Sequence, residues 1–79
     1  MAVPKSASEL DDLMIRIDYA SSTINYYGHA SPNSAQTAAV WRVKRETLDG
    51  QGRTTVIEFA DGNASFDNVW ADRATLSYS

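Results

Sequence analysis

Two hydrophobic periods overlap at the start of the chain. Leu10, Leu13, Met14 and Ile17 recur at helical spacing behind a Ser6 and Glu9 capping box, with Asp11 and Asp12 where a helix favours negative charge. The same stretch also alternates, with Leu13, Ile15, Ile17 and Tyr19 set against Met14, Arg16 and Asp18, as a strand with one apolar face would. The pattern predicts one or two helical turns from near Ser8 followed by extended chain. Residues 1–20 are therefore expected to form an N-terminal arm or short helix, and residues 21–79 a small β domain.

Period two governs the remainder. Ala20, Ser21 and Ser22 suggest a turn, and residues 23–28 have the β-branched and aromatic content of a strand. A loop follows around Pro32 and Asn33, where a fixed φ precedes a residue tolerant of turn conformations. Residues 35–39 are small, as expected of backbone passing close to another surface. A strand over 40–48 places Trp41, Val43 and Arg45 on one face and Arg42, Lys44 and Glu46 on the other, which is expected to be wet. Asp49-Gly50-Gln51-Gly52 is a hairpin signal joining this strand to one over 53–60. Beyond a second tight turn at 61–63, residues 66–70 read as extended or irregular. The alternation of Ala74, Leu76 and Tyr78 predicts a final strand. The fold class is mainly β: a small antiparallel meander or sandwich of four to five strands.

Length and charge narrow the function. At 79 residues there is room for one domain with a thin core, because a fold of this size buries only about 60% of its unfolded surface. Small domains usually compensate with disulfides, metals or partner subunits. Cysteine is absent, which removes disulfides, thiolate zinc sites and cysteine catalysis, and leaves association with further copies as the expected source of stability. The net charge of -3 and the single short cluster Arg42, Lys44 and Arg45 argue against a nucleic-acid partner. No apolar run has the length of a membrane span or the character of a signal peptide, so no membrane partner is expected and the chain reads as soluble and made in a cytoplasm.

Candidate chemistry is sparse. Residues 61–67 place oxygen ligands at alternate positions as calcium loops do, with Asp72 near the end of such a loop. Phe66, however, occupies the position of the sharp-turning glycine, and Asp72 is shorter than the usual bidentate glutamate. Solvated turn residues are the plainer reading. His29, the one histidine, follows Gly28 at an expected strand end and has no partner in sequence to make it a general base. Asp11 with Asp12, or Asp67 with Asp72, could pair as glycosidase carboxylates, but read more simply as charged surface. No catalytic residues, cofactor or metal are assigned, and the chain is expected not to be an enzyme. Its eight aromatic residues are too many for one small core. Tyr26 or Tyr27, together with Trp70, are therefore expected to anchor a subunit interface, with Arg73 stacking on a ring or pairing with Asp67.

The runs Ala39-Val40-Trp41-Arg42-Val43-Lys44-Arg45, Ala60-Asp61-Gly62-Asn63-Ala64-Ser65-Phe66-Asp67-Asn68-Val69-Trp70 and Arg73-Ala74-Thr75-Leu76-Ser77-Tyr78, with Arg16-Ile17-Asp18 and Tyr26-Tyr27-Gly28 upstream, resemble short virion-associated proteins of tailed bacteriophages. The resemblance implies a setting and carries no catalytic or ligand residues. It implies a structural or accessory component of a virion, made in the host cytoplasm, with other virion proteins or its own copies as partners. A tail or tail-fibre adaptor is the first expectation, and a capsid decoration or head-to-tail element the second. An alternative of another class is a carbohydrate-binding module on the virion exterior, using exposed tryptophan and tyrosine faces.

Overall fold

The computed structural model describes residues 12–79. The helical turns expected near Ser8 fall largely outside them. From Met14 onward period two prevails, and the chain forms β1 (Met14–Asp18), β2 (Ile24–Ala30), β3 (Ala39–Leu48), β4 (Thr54–Phe59) and β5 (Asn68–Val69), then a short 3-10 helix over Trp70–Thr75. The sheet is an antiparallel meander in the order β1-β2-β3-β4, with β5 paired to β3. It thus takes the first of the two expected forms, one sheet and not a sandwich. β1 pairs along its whole length with β2, so the β domain begins at Met14, inside the segment assigned to the arm.

Local chemistry sets the connections. Ser21 Oγ accepts the backbone N–H groups of Thr23 and Ile24 at 3.2 and 3.1 Å and turns the chain from β1 into β2. Asn33 takes the left-handed conformation, with φ 67°, immediately after Pro32. At the β3–β4 hairpin the positive φ falls on Gly52 and not on Gly50. Gly52 N–H bonds back to Asp49 O at 3.1 Å, and Asp49 Oδ1 accepts the N–H groups of Gln51 and Arg53. The connection is therefore a three-residue loop closed by an aspartate, in place of the two-residue Asp-Gly turn.

One face of the sheet is covered and carries the core. Tyr26, Ala30, Trp41, Val43, Ala60 and Trp70 are buried, with Met14, Ile24, Leu76 and Tyr78 packed against them. The cover is the C-terminal segment. The residues expected to form a last strand instead continue the 3-10 helix to Thr75, and of them Tyr78 alone makes a bridge, to Ala60. Trp70 and Trp41 pack with ring centroids 5.8 Å apart. Gly28 makes this possible: a Cβ there would lie 2.5 Å from Trp70 Cε3 and 3.0 Å from Trp41 Cε3. The small residues before β3 also lie against a surface, as expected, with Trp41 Nε1 donating to Ala35 O at 3.0 Å and Ala71 N–H to Gln36 O at 2.9 Å.

Candidate interaction surface

The cross-strand register assigns each side chain to a face. Met14, Arg16 and Asp18 stand beside Ala30, Gly28 and Tyr26, on the covered side. Ile15 and Ile17 stand beside His29 and Tyr27, which in turn neighbour Arg42 and Lys44; Lys44 then faces Phe59, and Glu46 faces Ile57. The apolar edge of β1 thus points away from the core. Ile15 is 55% and Ile17 48% exposed, Tyr19 just beyond them 74%, and Ile57 49%. The second face, expected to be wet, is a mixed surface with a basic centre and apolar flanks. Phe66 adds to it, lying 5.2 Å from the Arg42 guanidinium.

Polar contacts brace this open face. Glu46 Oε1 accepts from Tyr27 OH at 2.6 Å and Asn25 Nδ2 at 3.0 Å, while its other oxygen accepts the Thr54 hydroxyl, so one carboxylate ties β2, β3 and β4 together. The Thr54 bond, then those from Tyr27 and Asn25, hold the Glu46 carboxyl down at about 2. The reciprocal bond to Glu46 raises the Tyr27 phenol, with burial adding to it. His29 lies within β2 and not at its end, and burial, followed by Arg42 and Lys44, lowers its pKa. Lys44 reaches over the Tyr27 ring at 5.9 Å.

The residues expected at an interface separate between the two faces. Tyr26 and Trp70 are buried in the chain's own core, where Tyr26 packs 5.8 Å from Tyr78, so in the folded subunit neither presents a side chain to a neighbour. Tyr27 alone of the four stands on the open face. Arg73 is a clasp: its guanidinium lies 4.6 Å from the Trp70 ring, donates from Nε to Asp18 Oδ2 at 2.9 Å and reaches Trp70 O at 3.2 Å. Its carboxylate partner is Asp18, 55 positions away, and not the nearby Asp67. With Trp41 at 0% and Trp70 at 3% exposure, neither indole offers a face to a sugar ring.

The residues that sequence reasoning did not single out are Ile15, Ile17, Tyr19, Ile57 and Phe66. For Ile15, Ile17 and Tyr19 the signal was the period-two pattern at the start of the chain, which gives one apolar face without saying which way it points. In the suspected calcium loop, Asp61 takes a positive φ of 60° and Asn63 Oδ1 accepts Ser65 N–H at 2.9 Å, as in an ordinary Asx turn. Among the described residues no group of three or more histidine or acidic side chains could hold a metal ion, and no helix is long and apolar enough to cross a membrane. Compared with models of protein families, with curated proteins and with solved structures, the chain matches none.

Proposed function

We propose that this chain is a non-enzymatic structural or accessory subunit of a tailed-phage virion, a tail or tail-fibre adaptor first and a capsid or head-to-tail element second, which assembles through the open face of its sheet. The observation that carries the assembly role is that face: Ile15, Ile17, Tyr19, Ile57 and Phe66 remain exposed on a domain whose core, among the described residues, holds six buried apolar residues, two of them alanine. A core this thin gains from neighbours. The virion setting rests on the resemblance of the runs around Trp41, Phe66 and Arg73. The burial of both tryptophans favours assembly over a glycan platform.

The test is a mass-spectrometric inventory, with copy number, of purified particles of a phage that encodes the chain. Presence in fixed stoichiometry is expected, with multiples of three or six indicating the tail axis and hundreds indicating the shell. Absence from the particle would refute the reading.

A further inference from the structure

β1 is the outermost strand of the sheet, and its only ladder partner is β2, so one row of its backbone N–H and C=O groups has no strand beside it among the described residues. The opposite edge is different: Phe59 exchanges backbone hydrogen bonds with Ser79, and Asp61 N–H reaches Ser77 O at 2.8 Å, so the C-terminal segment covers the end of β4. Charged side chains on an edge strand ordinarily discourage a second strand. On β1, however, the two charges are opposite in sign and two residues apart, a spacing that becomes self-complementary under a two-fold axis.

Arg16 also stands apart from the other arginines. Arg45 pairs with Glu58, Arg53 with Asp49 and Arg73 with Asp18, and Arg42 lies over Phe66. Arg16 alone of them has no carboxylate or ring partner among the described residues, and its Nε, like those of Arg42 and Arg45, is buried without a hydrogen-bond acceptor. Asp18 has capacity to spare, since Arg73 occupies Oδ2 and no donor among the described residues sits on Oδ1.

We propose that a second copy of this chain pairs antiparallel with β1, strand edge to strand edge, in the register that sets Arg16 opposite Asp18 of the other copy and Ile17 on the two-fold axis. This deepens, and rests on, the assembly reading above by naming the partner. In this register two Arg–Asp pairs form on the covered side. On the open side Ile17 meets its own counterpart and Ile15 meets Tyr19, so the three exposed apolar residues at this edge shelter one another. Registers shifted by two residues lose this match, since one sets Arg16 against Arg16 and the other Asp18 against Asp18. The two four-stranded meanders would become one continuous sheet, with the open faces of both copies on the same side.

Charge reversal by mixing tests the register. Arg16→Glu alone faces Asp18 of its copy, and Asp18→Lys alone faces Arg16, so each variant should self-associate about tenfold or more weakly than the parent in analytical ultracentrifugation. Mixed one to one, they restore both opposite-charge pairs, and a heterodimer should form at parent strength. Far-UV circular dichroism checks that each variant folds, which matters for Asp18→Lys because it also loses the Arg73 clasp. Independently, Ile17→Cys in this cysteine-free chain should cross-link to a dimer under mild oxidation, whereas Val56→Cys on β4 should not. A mixture no stronger than its components, or a chain that stays monomeric, overturns the pairing. A dimer that cross-links through Val56→Cys overturns it too, yet leaves assembly standing, whereas absence of the chain from particles refutes the virion role whatever the register.

Discussion

Replacing Gly28 with alanine tests the packing on which the covered face depends. The new Cβ would lie 2.5 and 2.8 Å from two ring carbons of Trp70 and 3.0 Å from one of Trp41, against an ordinary carbon–carbon contact of about 3.5–4.0 Å. None of these atoms is the end of a flexible side chain. Trp70 is held by the Arg73 guanidinium and by Trp41, and Trp41 by its hydrogen bond to Ala35 O, so the indole must move by about 1 Å against fixed neighbours. Overpacking of this kind costs about 1–3 kcal/mol, and the lower entropy of an alanine in the unfolded chain returns about 0.4–1 kcal/mol. The net loss should be about 1–2 kcal/mol, which lowers the melting temperature of a domain this size by about 5–15 °C. Urea unfolding followed by tryptophan fluorescence measures it, with Gly50→Ala as the control, because nothing lies within 4 Å of a Cβ there. A Gly28→Ala chain as stable as the parent, with unchanged emission, would refute the account of the core.

Further outcomes follow from the polar contacts. Glu46, held down at about 2 in the fold, contributes stability that is fully present above the ordinary carboxylate pKa near 4.5 and is lost as pH falls from there toward 2; Tyr27→Phe should move the Glu46 carboxyl upward in an NMR titration, and an unmoved midpoint would contradict the clamp. Burial, then Tyr26, pushes the Tyr78 phenol up to about 12, so the fold resists its ionisation and stability should fall as pH rises from about 10 toward 12; Tyr78→Phe should remove that alkaline loss in pH-dependent unfolding. Asp18→Asn should cost about 1 kcal/mol by weakening the half-buried pair with Arg73, and a double-mutant cycle with Arg73→Met should show coupling. Acrylamide should quench both tryptophans weakly in the isolated chain, and strong quenching would contradict their burial.

Much of the sheet was legible because its strands announce themselves locally. The alternation around Trp41 and Val43, the hairpin at 49–52 and the Pro32-Asn33 turn all act within a few residues and appear where expected, although the hairpin turns on Gly52 and not on Asp-Gly. Three features depended on distant partners. Which side of β1 would be buried could not be read from β1, since its two isoleucines face outward while Met14, Arg16 and Asp18 stand on the side covered by Trp70 and Arg73. The alternation of Ala74, Leu76 and Tyr78 resembles a strand, but a 3-10 helix over Trp70–Thr75 takes up Ala74, and only from Leu76 does the chain extend and bridge to Ala60 through Tyr78. Counting rings points to Tyr26 or Tyr27, with Trp70, as interface anchors, and of these only Tyr27 stands on the open face. The count overlooked Gly28, whose missing side chain makes room for an indole directly on the sheet.

The connection between Arg73 and Asp18 has a consequence for synthesis. Each strand of the meander is followed closely by its ladder partner, so β1 to β4 meet through short loops as they leave the ribosome, whereas the covering segment begins at Trp70 and is fastened to a residue made 55 positions earlier. Until that last stretch emerges, the nascent sheet has two naked faces instead of one. A chain truncated before Trp70 would therefore present Trp41 and Val43 to any chaperone or neighbouring chain, because the segment that packs over them would be missing.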